Sequence, residues 1–257
     1  NKYEIILGIS QENPDREIQQ IRSLLSMQVD GLIVSVVKGN RNRFIFERIV
    51  NDGTPLTFVD RFLNISCANK VVVDDFGGAY AATKRGISLG HRRIAYIGGT
   101  LDTNIGRDRL AGYKKGLKDY GIRYDPKIVA LGGFLEEDGY NGLMKIHEQR
   151  NMPKFIFVAG SLLVTGVFYA LKQIGLGVPD DIDVIAFSVG AVNHPLLPHL
   201  SFIEQPSVEL GKAAIDLTIA NIKEGNGFIT RQIVLPFIER FAVIERNISS
   251  YRDASQT

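Results

Sequence analysis

Three side chains of different chemistry stand where short apolar runs end or a helix begins: Asp60, Arg109 and Phe134. Asp60 closes the strand-like run PLTFVD and is followed by Arg61. A carboxylate at the carboxyl end of a buried parallel strand faces the cleft, where it can accept two hydroxyl hydrogen bonds from a sugar. The same residue can instead cap its own loop. Arg109 lies near the start of a helical stretch, where a lone cation opposes the helix dipole, so something other than the helix must account for it. A fixed fork of five N–H donors over a cleft suits vicinal hydroxyls or a carboxylate. Phe134 follows a strand and two glycines in LGGFLEEDGY. Its ring either joins the core or stacks on the apolar face of a sugar or on a base. Asn104 and Ile105, in the loop before Arg109, are lesser candidates, and Arg107 reads as solvated.

A catalytic reading is invited by SLGHRRIAYIGG, residues 88–99, which offers a histidine, two arginines and a glycine pair. A βα pattern assigns it differently. Gly90 supplies the left-handed position at a helix end, and His91 with the arginines can serve the last carbonyls and the negative end of the dipole. The turn also lies at the amino end of its strand, whereas sites in open α/β sheets form at carboxyl ends. His91 is therefore architecture, and the functional end of that strand is Gly98-Gly99. His194 and His199 sit among prolines. The chain has no G-x-G-x-x-G, Walker loop, G-x-S-x-G or paired-carboxylate motif, and no His/Cys spacing suited to a metal. No catalytic residue, metal or cofactor is assigned, and the chain does not read as an enzyme.

Elements must position these residues. The chain has 257 residues, 45% hydrophobic and 23% charged, which allows one or two globular domains. A net charge of +2 gives no broad basic patch for nucleic acid. One cysteine, Cys67, cannot form an intrachain disulfide, which favours a reducing compartment. No apolar run approaches the ~20 residues of a membrane span, and no signal peptide is visible. Strand-like runs rich in Ile, Val and Phe occur at Tyr3–Ile9, Gly31–Val36, Leu56–Asp60, Val71–Asp74, Arg93–Gly98, Lys127–Leu131, Phe155–Ala159 and Asp183–Ser188. Amphipathic helices alternate with them: 13–28, 78–89, one ending at Gly121, 138–149, one ending at Gly175, and 207–223 ending at Gly225. After HPLLPHLSFIEQP and the last helix come two more strand-like runs, Gln232–Leu235 and Arg240–Ile244. Repeated βα units of this length predict a doubly wound α/β fold, and the late return path suggests two lobes.

The motifs DDFGGAYAATKRGISLGHRRIAYIGG, GRDRLAGYKKGLKDYGI, GVPDDIDVIAFS and LSFIEQPSVELGKAA stand in an order and spacing similar to the effector-binding domain of the lactose-repressor (LacI/GalR) family of bacterial transcription regulators. The resemblance spans nearly the whole chain. It implies two doubly wound parallel-sheet lobes joined by three crossovers, a periplasmic-binding-protein-like fold. The first lobe comprises roughly residues 1–73 with 206–234, and the second 74–205 with 235–257. A small effector, a sugar or sugar derivative, then sits between them, and the family's pocket places residues like Asp60, Arg109 and Phe134 around it. The resemblance further implies a cytoplasmic homodimer, paired through helices such as 13–28 and 78–89, with operator DNA bound by an N-terminal helix-turn-helix not in this chain. The family's first strand-helix unit is also expected to be missing here. Tyr3–Ile9 resembles the second strand, leaving a place for another between it and Leu32–Val36.

Two departures from the family pattern bear on the ligand. Gly160-Ser161 stands where the family usually has an Asn/Gly–Asp pair, and Ser188 stands where an aspartate is common. With both carboxylates gone, Asp60 is the chief remaining acid among the inferred contacts. A ligand with fewer hydroxyls, or an acidic sugar such as a uronate, becomes conceivable. A periplasmic sugar-binding protein of an uptake system shares the fold and is the alternative reading.

Overall fold

The computed structural model describes residues 3–39, 41–149, 151–189, 200–224 and 230–241, the side chains of residues 188 and 189 excepted. Two sheets form two lobes. In the first, β1 (Leu32–Val34), β2 (Leu56–Val59), β3 (Asn69–Val73) and β9 (Gln232–Leu235) pair in that order, all parallel. Helices α1 (Pro14–Ser26), α2 (Arg43–Asn51) and α7 (Ser207–Glu224) belong to this lobe.

The second lobe holds α3 (Asp75–Ser88), β4 (Ile94–Gly98), α4 (Asn104–Asp119), β5 (Val129–Leu131), α5 (Glu136–His147), β6 (Phe155–Val158), α6 (Ser161–Gln173), β7 (Asp183–Val189), β8 (Ser201–Gln205) and β10 (Ile238–Arg240). Its sheet runs β10-β8-β7-β6-β4-β5, parallel except for β10. β4, the first strand of that lobe, is internal, as in a doubly wound sheet of order 2-1-3-4-5. The chain crosses between lobes after β3, after β8 and between β9 and β10. Phe237, in the last crossing, packs against the cores of both lobes.

Local chemistry accounts for most element ends. The Asn13 side chain accepts from the N–H groups of Asp15 (2.9 Å) and Arg16 (3.1 Å), with Pro14 at the first helical position. Asp74 caps α3 through the Gly77 N–H at 2.8 Å. Gly90, Gly121 and Gly175 follow helices at positive φ, as their sequence positions predict. The strands β4, β6 and β7 are buried on both faces, and side chains such as Phe157 and Phe187 each contribute ~1.5–3 kcal/mol by burial.

Three assignments differ from the sequence expectation. Tyr3–Ile9 forms no strand and pairs with none among the described residues, and Ile5 and Leu7 are 81% and 79% exposed. β1 pairs only with β2 among the described strands, so the segment's apolar residues have no neighbouring strand to bury them. α2 was not anticipated, although Gly39-Asn40 and Asn42 precede RFIFERIVN; it is a short helix of nine residues without a side-chain N-cap bond. β8 lies inside the sheet between β7 and β10, although its residues SFIEQ follow a proline-rich stretch that reads as loop. His194, His199, the expected helix stop at Gly225, and residues 242–257, including the end of the expected strand to Ile244, lie outside the described residues.

Candidate functional site

The carboxyl ends of β2, β4, β5, β6 and β8 converge between the lobes. Asp60 follows β2 at φ +63°, the left-handed region that costs a non-glycine residue conformational energy. Hydrogen bonds hold it there. Its N–H donates to the Val71 carbonyl at 2.9 Å, and its Oδ1 accepts from Gln205 Nε2 at 2.8 Å. The Asp60 carbonyl accepts from Asn104 Nδ2 at 3.0 Å, and Asn104 Oδ1 accepts the Phe62 N–H at 3.2 Å. One amide of the second lobe therefore clasps residues 60 and 62 of the first.

The first turn of α4 is built to present that amide. Thr103 caps the helix through Gly106 N–H at 3.1 Å. A Cβ at Gly106 would stand 2.0 Å from the Thr100 carbonyl oxygen, so only glycine allows the turn to close. Asn104 and Ile105 are both buried there. Beside them a cavity of about 180 Å³ is lined by residues of both lobes, including Phe62, Val234, Asp75 and Asn104.

Phe134 is 9% exposed and lies in the loop after β5. That loop is tied by Leu135 N–H donating to the Asp138 carboxylate at 2.9 Å. A Cβ at Gly99 would lie 2.0 Å from the ring, so the glycine after β4 makes room for it. Above the ring is the Arg61 guanidinium, 4.4 Å from the centroid. Arg61 Nη1 is bound to Glu12 Oε1 at 2.7 Å, with the arginine side chain 11% exposed. Glu12 Oε2 is buried without a hydrogen-bond partner.

Arg109 lies one layer deeper and is 3% exposed. Its Nε donates to Asp75 Oδ1 at 2.7 Å and its Nη1 to the Ala159 carbonyl at 3.0 Å, while its guanidinium stacks 3.8 Å from the centroid of Phe187. The expected open fork over the cleft is thus a largely committed one, and Asp75 is the countercharge that accounts for a cation near this helix start. Burial pushes the Asp75 carboxyl up to about 6; Arg109 opposes that shift and the nearby Asp60 carboxylate reinforces it. Gly160 caps α6 and adjoins the Phe134 ring, and Ser161 opens that helix. Ser188 lies in β7 opposite Glu204 of β8, but its side chain is outside the described residues.

Of the residues expected at the cleft, the structure brings Asp60 and Asn104 into contact and sets Phe134 beside Gly160. Sequence reading missed Glu12, Arg61, Asp75 and Gln205. Asp60 is accordingly not alone as an acid, since Asp75 lies behind it and Glu12 beside it. The Asp74-Asp75 pair at the start of α3 was the available signal for Asp75, being one acid more than a single cap needs.

His91 stands at the opposite end of β4. Its Nε2 meets Asp183 Oδ2 at 2.7 Å, its ring packs on Phe155 at 5.1 Å, and its N–H donates to the Gly86 carbonyl. Among the described residues no cluster of His, Cys, Asp or Glu is placed to hold a metal, and no helix is long and apolar enough to cross a membrane.

Residues 83–241 match the family described as periplasmic binding protein-like domain. The chain is 30% identical over 226 residues to the ribose operon repressor of Haemophilus influenzae, covering 88% of this chain and 67% of the repressor. It is 27% identical to the transcription regulator CcpA of Lactococcus lactis, with a TM-score of 0.81 over 94% of this chain and 87% of that one. A LacI-family regulator from Enterococcus faecium with bound ribose has the same fold at a TM-score of 0.76 and 24% identity, over 88% of this chain and 82% of that one. The chain spans about two thirds of the length of the curated relatives it matches.

Proposed function

The chain belongs to the periplasmic binding protein-like family of lactose-repressor-type regulators, and on that premise we infer that it is the effector-sensing domain of a ligand-responsive bacterial transcription regulator. The effector is a sugar or sugar derivative held between the lobes at Asp60, Arg61, Asn104 and Phe134, with Arg109, Ile105, Gly160, Ser161 and Ser188 forming the second lobe's side of the site. One observation carries this assignment: Asn104 and Phe134 of the second lobe both engage residues 60–62 of the first. A molecule that enters there touches both lobes, so it biases their relative position by whatever extra affinity it has for one arrangement.

The relatives support regulation over uptake, since they are repressors by name. They also argue against catalysis as the role of this domain. We read lobe boundaries near the crossings at residues 73–75, 205–207 and 235–238. The full protein binds operator DNA through a separate domain, acts in the cytoplasm, and pairs as a homodimer matched to two-fold operators. Met27, Phe76 and Leu89, exposed on or beside α1 and α3, are apolar side chains for that pairing.

A thermal-shift screen with ribose, cellobiose, uronates and free purines tests the reading. A cleft ligand at 100 times its dissociation constant adds about 2.7 kcal/mol of stability. The expected result is stabilisation by one sugar class that disappears in Phe134→Ala. Stabilisation that persists in Phe134→Ala and Asn104→Ala would move the ligand elsewhere.

A further inference from the structure

A second opening, of about 600 Å³, lies at the far end of the second lobe, at the amino ends of β4 and β5 beside the last turns of α4. Its position is opposite the carboxyl-end cleft, where the fold places its usual ligand site. The floor is apolar, formed by Leu117, Ile122 and the ring of Tyr124. Tyr113 beneath it donates its hydroxyl to the Ile94 carbonyl at 2.8 Å, so it adds no polar group to the groove.

The rim is cationic. Arg92, Arg123 and Lys127 line it, all three are exposed, and none has a side-chain ion pair or hydrogen bond among the described residues. Lys114 adds a fourth positive charge 4.7 Å from the Tyr124 centroid. Asp125 is the acid among the lining residues. It already faces Arg93 at 3.6 Å, which is also bonded to the Asn151 carbonyl, and it caps its own turn through Lys127 N–H at 3.0 Å. Three cations without partners among the described residues, around an apolar floor of ligand-sized volume, make an excess of positive charge that no described group of the lobe neutralises.

We propose that this groove is a second ligand site that binds a small organic dianion, a phosphate monoester carried on a flat ring. The ring lies on Leu117, Ile122 and Tyr124, where stacking and burial favour an aromatic body. The phosphate, with a charge of about −1.5 to −2 near pH 7, meets Arg92, Arg123 and Lys127, and charge-assisted hydrogen bonds to three cations suit a dianion better than a monoanion.

Calorimetry on the full chain with phenyl phosphate, inorganic phosphate and phenol tests the proposal. Phenyl phosphate is expected to bind one site per chain, with both fragments at least roughly tenfold weaker. The double variant Arg123→Gln, Lys127→Gln is expected to weaken phenyl phosphate by roughly tenfold or more, as does Ile122→Glu, which brings a carboxylate to the floor without removing a cation. Thermal melting of both variants verifies that they fold. Asn104→Ala, in the cleft, is expected to bind phenyl phosphate as the parent does. The proposal is overturned if phenyl phosphate does not bind, if either groove variant binds it undiminished, if inorganic phosphate or phenol binds equally well, or if Asn104→Ala abolishes binding.

Discussion

Arg61 of the first lobe lies 4.4 Å above the ring of Phe134 of the second, and Glu12 holds the same guanidinium at 2.7 Å. A side chain of the protein therefore occupies the face of the ring on which a ligand would stack. The far edge of the ring abuts Gly99, where even a Cβ would not fit. An incoming ring must displace Arg61 or share it. A ligand with a carboxylate, such as a uronate, has the advantage here, because it can replace Glu12 as the partner of the cation.

The stack also holds the lobes together. Arg61→Ala removes a cation–π contact of ~0.5–2 kcal/mol and leaves Glu12 without its countercharge. The ligand-free variant is expected to show a larger radius of gyration by small-angle X-ray scattering than the parent. Superimposable scattering curves would show that the contact does not hold the lobes.

Asn104→Ala deletes both hydrogen bonds of the clasp at once, at a cost of ~1–3 kcal/mol to the arrangement that makes them. The sugar that emerges from the thermal-shift screen should bind this variant roughly tenfold more weakly in calorimetry, while the melting temperature changes little. Unchanged affinity would remove Asn104 from the closure.

Asp75 sets a pH dependence. Burial raises its carboxyl in the folded protein to about 6, from an ordinary value of 3.8. Between these values the folded state binds the proton more tightly than the unfolded state does. The contribution of Asp75 to stability is therefore greatest below about pH 4 and is lost as pH rises to 6 and above, a change on the order of 1–3 kcal/mol. Urea unfolding of the parent and of Asp75→Asn across pH 4–7 checks this. The stability of the parent relative to the variant should fall as pH rises through that window, and a constant or rising difference would contradict the assignment.

His91→Ala separates architecture from site. The variant strips a partner from Asp183, which is 3% exposed, and leaves a gap against Phe155, for a loss of ~1–3 kcal/mol in chemical denaturation. Sugar affinity should stay within about twofold, a difference of less than ~0.5 kcal/mol. A large loss of affinity with intact stability would place His91 in a binding site.

Sequence alone determined whatever depends on neighbours along the chain. The alternation of apolar strands with amphipathic helices, the stops at Gly90, Gly121 and Gly175, and the placing of Asp60 and Phe134 at strand ends all follow from side-chain period and backbone φ within a few residues. The reading of SLGHRRIAYIGG as a turn was legible for the same reason. Tertiary structure decided the partners. Asp75 and Arg109 are 34 residues apart and Asp60 and Gln205 are 145 apart, and nothing local in either segment specifies the other. Arg61 carried no role in the sequence beyond following Asp60, and its place over Phe134 depends on the second lobe. Tyr3–Ile9 has the apolar run of a buried strand and yet is none, because a strand is completed by a backbone paired beside it, and among the described residues it pairs with no strand, β1 being joined to β2 alone. Periodicity reports which face of a segment is apolar; only the packed chain supplies what that face, or a charge standing on it, will meet.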